Sequence, residues 1–512
     1  VKFNRTGRSI KNFATGILGY SITLSVSVFS TPLLIKWLGD ERYGAFRTAS
    51  NWVSYIGLLE LGIGRSLLPL LAKSLGKDDN ELTRLTLITG IKAYWQILAV
   101  MLLVGIGLGW FIPNLVHVHD ALKSELQIGY WLGLTGLLFV LITPFRMLAD
   151  ASQRSYLIHA WLTVQVIAIT GLSLLFAWAG MGIPGQYLAV ILGSIPYQFL
   201  IYWDGVRSYP NLFATVVKPQ AIADIKKQIW QLNWPIFGLN LSGQLNLFTD
   251  NIIISYILGP AIVVPFFVTQ RLAALAQSQI QGVSNATWAA LAELYAKGEM
   301  KRFNARLIEL TRLVAVIGLA LMIAIAAYNP YFVSLWVGQD RFGGETLSLL
   351  TACNGFLLGL LTLWRWCFGG TGMQAKILMA AIVETGINVS VSIISTYRFG
   401  IIGPVLGTFV GIVTFSFWCF PVLLRNVFGT SLKQLFFAVA KPLAVGIPYG
   451  LIVWYIARSH TPWGWLGLAT EMAVSAILYL IMAWLLVLNK TERSQWNNRL
   501  HMLFSTIRLR FG

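Results

Sequence analysis

The sequence is short of charge, of cysteine and of histidine. Charged residues fill 11% of its 512 positions, against 56% hydrophobic, and the mean hydropathy is +0.68. Soluble domains carry about a quarter of their residues as charges, so this balance excludes a soluble fold. The three cysteines, Cys353, Cys367 and Cys419, all lie inside apolar runs. They form no disulfide framework and have no metal-ligand spacing. His117 and His119, in "NLVHVHD", read as solvated loop residues, not ligands. No phosphate-binding Walker motif is present, so the chain has no built-in ATPase. No long polar segment exists either, and the loops on one side are all short. That leaves no room for an extramembrane catalytic domain and speaks against a glycan polymerase or ligase. Acidic residues are scarce as well: 20 against 38 lysines and arginines, a net charge of +18. In a soluble chain that excess would suggest nucleic acid. Here the cations sit mostly in short loops between apolar runs, where they set topology and meet anionic lipid. No nucleic-acid partner is expected.

What the chain does have is a succession of apolar runs, each of roughly 20 residues and able to cross a ~30 Å hydrocarbon core. About fourteen such spans can be drawn, the second over 43–71, the seventh over 232–258 and the eighth over 263–293. The expected fold is all-α and polytopic. The opening "VKFNRTGRSIKNFATGILGY" is basic and then apolar, and the run continues to Ile35 without a small-residue cleavage site. It reads as an uncleaved first span. With the N-terminus placed in the cytoplasm, inside segments hold about 25 lysines and arginines and outside loops about 6. Both termini are then cytoplasmic. The tail "WNNRLHMLFSTIRLRFG" places Trp496, Leu500, Leu503 and Ile507 on one face. It reads as an amphipathic segment lying on the membrane surface.

Shifting the chain by about 220 residues lays "LGDERYGAF" over "LGPAIVVPF", Gly62 over Gly282, "LAKSLGKDD" over "LAELYAKGE" and Leu87 over Leu307. Six spans separate the copies, so both copies run the same way, a parallel repeat about an axis along the membrane normal. The expected organisation is a six-helix bundle over 1–210, a second over 211–430, two further spans over 431–489 and the tail over 490–512.

Polar residues inside spans are expensive and mark function by default. At 100° per residue, Arg47, Asn51, Ser54 and Arg65 fall in one narrow stripe of the second span. Each arginine is long enough to reach an interface by snorkelling, but Asn51 and Ser54 are not, which favours a polar lumen. The seventh span places Asn233, Asn240, Gln244 and Asn251 on one face, with Asp250 at its margin. The eighth carries Gln270, Gln277, Gln281 and Asn285, with Arg271 beside them. Such amides often only join helices; three stripes at corresponding repeat positions point instead to a shared cavity. Lys92 with Gln96, and Asn354 with Arg365, add same-face pairs. The expected cavity is cationic and suits an anion with polar bulk. Phosphate or pyrophosphate would meet guanidinium forks, and sugar hydroxyls would meet Asn and Gln. Asp250 is the candidate ion-coupling group, for a proton or sodium ion, against a plain ion pair with Arg271 or another base. No other cofactor and no metal are expected.

Two stretches carry a family resemblance. "LLELGIGRSLLPLLAKSLGKDD" has a Gly-x-Gly turn followed by a short Lys/Gly/Asp loop. "FTDNIIISYILGPAIVVPFFVTQRLAALAQSQIQGVSNATWAALAELYAKGE" has Asp250, the Leu-Gly pair 258–259 and the Lys-Gly-Glu loop in order. Both resemble the polysaccharide transporter family of oligosaccharide flippases, within the multidrug/oligosaccharidyl-lipid/polysaccharide exporter superfamily. The resemblance implies a transporter and not an enzyme. Its cargo would be an undecaprenyl-pyrophosphate-linked oligosaccharide moved from the inner to the outer leaflet by alternating access. Expected partners are that lipid-linked cargo, membrane lipids, a polysaccharide polymerase and a chain-length regulator. The sequence departs from a symmetric site: Phe267 and Asn285 stand where the first copy has Arg47 and Arg65. A multidrug exporter of the same fold is the alternative, though the basic spans suit cationic drugs poorly.

Overall fold

The computed structural model describes residues 5–60, 62–208, 219–488 and 493. All regular structure among them is helical. Lipid offers no partner to a backbone N–H or C=O, and a helix satisfies both within the segment. Packing divides the chain into two units, 1–264 with 396–404, and 265–395 with 405–512.

In the first unit the order is α1 (Arg5–Leu38), α2 (Asp40–Gly57), α3 (Ile63–Gly76), α4 (Asn80–Gly109), α5 (Ile112–Val116), α6 (Asp120–Thr135), α7 (Thr143–Ala151), α8 (Ser155–Trp178), α9 (Gly182–Ser208) and α10 (Pro219–Leu258). The chain continues through α11 (Val263–Ala296), α12 (Met300–Val337), α13 (Glu345–Gly370), α14 (Ala375–Phe399), α15 (Gly403–Gly411), α16 (Phe417–Phe428), α17 (Leu432–Ser459) and α18 (Gly464–Leu486). Nine described segments are long and apolar enough to cross a membrane, and one of them, Ala375–Phe428, is 54 residues long. A left-handed turn at Gly400 splits it into two passes. Counting α1, the α2–α3 pair, α9 and α10 as further passes, the total reaches the fourteen expected. The protein is a multi-pass, all-α membrane protein.

The second span is not one helix. After Gly57 the chain tightens into a 3₁₀ turn, Leu58–Glu60, and Gly62 takes a left-handed conformation at φ 74° before α3 begins. The expectation that Arg47 and Arg65 share a face assumed an unbroken helix, and the break removes it. Three glycines, Gly57, Gly62 and Gly64, weaken the helix here. Glu60 supplies the other part of the cause by accepting a hydrogen bond from the buried Tyr94 hydroxyl on α4. The eighth span is continuous by contrast, because α11 runs straight through Gly282.

The internal repeat reappears in the backbone. Left-handed residues fall at Gly39 and Gly259, Asp78 and Gly298, His117 and Gly338, Gln153 and Gly372, and Gly180 and Gly400. Each pair keeps the sequence offset to within a residue. The N-caps Gly39 (φ 79°, ψ 163°) and Gly259 (φ 93°, ψ 155°) share one geometry that strains any residue with a Cβ.

In the first unit, Ile56, Leu67, Leu87, Tyr94, Leu126 and Tyr130 belong to one buried cluster. In the second, α12 is the central helix, two-thirds buried across its most apolar window, and packs on α13, α17 and α18. Small residues set the closest contacts, as they do where lipid leaves no hydrophobic driving force between helices. Gly407 and Gly411 on α15 face Asn388, Ser392 and Glu384 on α14, and a Cβ on Gly407 would fall 2.6 Å from the Asn388 carbonyl oxygen. Outward surfaces are apolar, with Trp178, Trp203, Tyr455 and Trp463 exposed near helix ends. Aromatic rings of that kind sit at the headgroup level.

Candidate functional site

In the first unit the polar stripe of α2 meets α10. Asn51 donates from Nδ2 to the Phe248 carbonyl oxygen at 3.3 Å. One turn on, the Tyr55 and Thr249 hydroxyls share a hydrogen bond, and Thr249 also donates to the Leu245 carbonyl. The Tyr55 ring stands edge-on to Phe248 with centroids 5.9 Å apart. Further along, Gly44 lies so close to the turn at Pro260–Ile262 that a Cβ would fall 1.8 Å from the Pro260 oxygen. The structure thereby fixes α2 against the stretch of α10 that carries Asn240, Gln244 and Asp250. Those three are all partly exposed, so polar groups remain accessible beside the docked Asn51. Among the described residues no ion pair involves Asp250.

Arg47 leans back along α2. Its Nη1 donates to the Tyr43 hydroxyl at 3.5 Å and its guanidinium lies 5.8 Å from that ring's centroid. Arg65 is the third residue of α3, and its side chain lies outside the described residues. The side chain of Asn233 lies outside them too. Lys92 and Gln96 are exposed on α4 and do not join the α2–α10 contact, whereas Tyr94 between them turns inward to Glu60.

In the second unit α11 carries Gln270, Arg271 and Gln277, all partly exposed, and the Arg271 guanidinium sits 5.6 Å from the Phe267 ring centroid. The first turns of α11 are held by a buried amide that spacing did not single out. Asn329, 1% exposed, donates to the Thr269 carbonyl and to Ser348 Oγ, each at 2.9 Å. Thr269 Oγ1 in turn accepts from the Gly343 N–H at 2.8 Å. This network positions the turn before Gln270.

Arg365 has a local partner. Its Nη2 donates to Glu384 Oε2 on α14, and the same oxygen accepts from Ser416 Oγ. Glu384 is 4% exposed and Ser416 is fully buried. A π-helical turn, Ile412–Ser416, carries that hydroxyl next to the carboxylate. The Arg365 guanidinium also lies 5.1 Å from the Phe420 ring centroid. Its charge is therefore compensated by Glu384. Asn354, paired with Arg365 by sequence spacing, donates instead to the Val405 carbonyl at 2.8 Å. By sequence, Glu384 is simply an acidic residue inside the apolar segment Ala375–Phe428. Nothing in the spacing joined it to Arg365, 19 residues away across a turn.

Comparisons with known proteins agree with this architecture. No family model matches the chain. The uncharacterized membrane protein EpsK of Bacillus subtilis (strain 168) is 20% identical over 502 residues, covering 94% of this chain and 96% of that protein. A putative O-antigen transporter of Shigella flexneri is 19% identical over 187 residues, or 36% of this chain and 44% of that protein. Among solved structures, the lipid II flippase MurJ in an inward closed conformation superposes with a TM-score of 0.70 at 15% identity, covering 93% of this chain and 97% of that one. An inward-facing multidrug resistance MATE family transporter gives 0.60 at 15% identity, covering 87% and 99%. The chain is therefore a polytopic membrane protein, and its helical fold is the one seen in the lipid II flippase MurJ and in MATE transporters.

Proposed function

We propose that this protein is a flippase that moves an undecaprenyl-pyrophosphate-linked oligosaccharide from the inner to the outer leaflet of a bacterial plasma membrane, with both termini in the cytoplasm. The observation that carries this reading is the presence of basic and amide side chains on α2 and α10 in the first unit and on α11 in the second, each within membrane-spanning helices where such groups are costly. Arg47, Arg65, Lys92 and Arg271 would meet the pyrophosphate and acidic sugars. Asn51, Asn240, Gln244, Gln270 and Gln277 would meet sugar hydroxyls. Arg365, compensated by Glu384, would act by holding α13 against α14. Alternating access would expose these faces first to one side of the membrane and then to the other, with the repeat halves 1–210 and 211–430 as the moving bodies. Asp250 would take up the coupling proton or sodium ion. A polysaccharide polymerase and a chain-length regulator would act on the delivered cargo.

A small-molecule exporter is the second reading, favoured by the superposition on MATE transporters. The excess of basic over acidic side chains within the spans argues against cationic drugs as its cargo. The test replaces Arg47, Arg65 and Arg271 singly with Ala and measures lipid-linked sugar reaching the outer leaflet. Loss of roughly tenfold or more per arginine is expected, since each charged hydrogen bond is worth about 1.5–3 kcal/mol. Unchanged transport in all three variants, at normal protein levels, removes the proposed site.

A further inference from the structure

The second unit carries a cavity that the transport reading does not use. It is an open groove of about 750 Å³ between the end of α11, the first half of α12 and the end of α18. One stretch of its wall is apolar, formed by Leu313, Val316, Ile317, Leu480 and Trp484. Along α12 its lining extends from Arg302 to Ile317, about 22 Å at 1.5 Å per residue. Half a bilayer core is about 15 Å thick, so an acyl chain of one leaflet fits along it.

A second cavity of about 660 Å³ adjoins the first, because Ala305, Ile308 and Arg312 line both. Its other walls come from α17: Lys433, Gln434, Phe437 and Lys441. Lys433, Phe437 and Lys441 are spaced by four, on one exposed face of that helix. No acidic side chain lines this second part. The acids of the first part already have partners, Glu293 with Lys297 and Glu309 with Arg306. The pair of cavities thus combines an apolar slot of leaflet depth with a basic mouth.

We propose that this paired cavity binds an anionic diacyl glycerophospholipid from the surrounding bilayer, with its phosphate at Lys433 and Lys441 and an acyl chain along Val316 and Ile317. Charge complementarity selects the headgroup, and the depth and apolar walls select a lipid over a free anion. The lipid braces α12, the central helix of the unit, against α17 and α18. This inference needs only the membrane location and is independent of which cargo is carried.

The test is native mass spectrometry of the full chain in detergent, after incubation with phosphatidylglycerol or with phosphatidylethanolamine. Phosphatidylglycerol is expected to be retained and phosphatidylethanolamine to be lost. The Lys433→Gln/Lys441→Gln variant should weaken phosphatidylglycerol retention on the order of twenty-fold, at about fivefold per lysine. Both lysines are exposed, so the variant keeps its fold. Ile317→Trp should block the slot with the lysines intact, and inorganic phosphate in excess should fail to displace the lipid. Equal retention of both lipids, unchanged retention in the double lysine variant, or displacement by inorganic phosphate would each overturn the proposal.

Discussion

Arg365 and Glu384 offer the sharpest check on the reasoning, because their roles can be separated by a double-mutant cycle. Glu384 is 4% exposed, and its Oε2 accepts from both Arg365 and Ser416. Replacing Glu384 with Ala leaves the guanidinium beside Phe420 without its anion. Breaking a buried pair from one side costs about 3–5 kcal/mol. Arg365→Met strands the carboxylate with only the Ser416 hydroxyl, and the same rule gives a similar loss. Arg365→Met/Glu384→Leu removes both charges and both desolvation penalties. Apolar replacements of buried pairs are often neutral, so the double variant should return to within about 1–2 kcal/mol of the parent. The predicted coupling energy is therefore at least about 4 kcal/mol, measured by denaturant unfolding of the purified protein followed through tryptophan fluorescence. Losses that simply add, within about 0.5 kcal/mol, would refute a pair acting as a unit. Transport by the double variant supplies a second readout. Retained activity per folded molecule fits an arginine that serves Glu384, whereas lost activity with normal stability would return Arg365 to the cargo site.

Three further outcomes follow from the geometry. Gly407→Leu should destabilise the α14–α15 hairpin by about 1–3 kcal/mol or more, because its Cβ would already lie 2.1 Å from Ser392 Oγ; thermal unfolding in detergent measures this. Tyr94→Phe should cost about 1–3 kcal/mol by removing the donor to Glu60, and Tyr130→Phe, which loses only a bond to the Gly105 carbonyl, should cost less in the same assay. Asn51→Ala and Tyr55→Phe together should loosen α2 from α10, seen as faster amide hydrogen exchange over 44–57 and 240–258. Unchanged exchange there would show that the Gly44 contact alone holds the two helices.

The number of spans, the all-α class and the repeat were legible before any coordinates. Hydrocarbon imposes length and internal hydrogen bonding on every pass, so twenty apolar residues can only be a helix. The repeat was visible as a constant offset and returned as paired left-handed turns, because Gly39 and Gly259 serve the same turn before the same kind of helix. The candidate site was legible only as a list of stripes. A stripe assumes an unbroken helix, and the second span breaks at Leu58–Gly62 where glycines weaken it and Glu60 finds Tyr94. Such a partner belongs to another helix and has no spacing signature.

The chain's own order of residues determined what it is made of: a multi-pass, all-α membrane protein with an internal repeat, rich in cations where cations are costly. Only packing decided which of those charges are already spoken for. Arg365 meets Glu384 across a turn, through a π-helical step that carries Ser416 to the same oxygen. Asn51 is spent on a backbone carbonyl, while Gln244 and Asp250 one helix away keep partly exposed surfaces. Hydropathy reports the solvent each residue must face, and it acts residue by residue. Partner choice depends on helix rotation and distance, which depend on every neighbour at once.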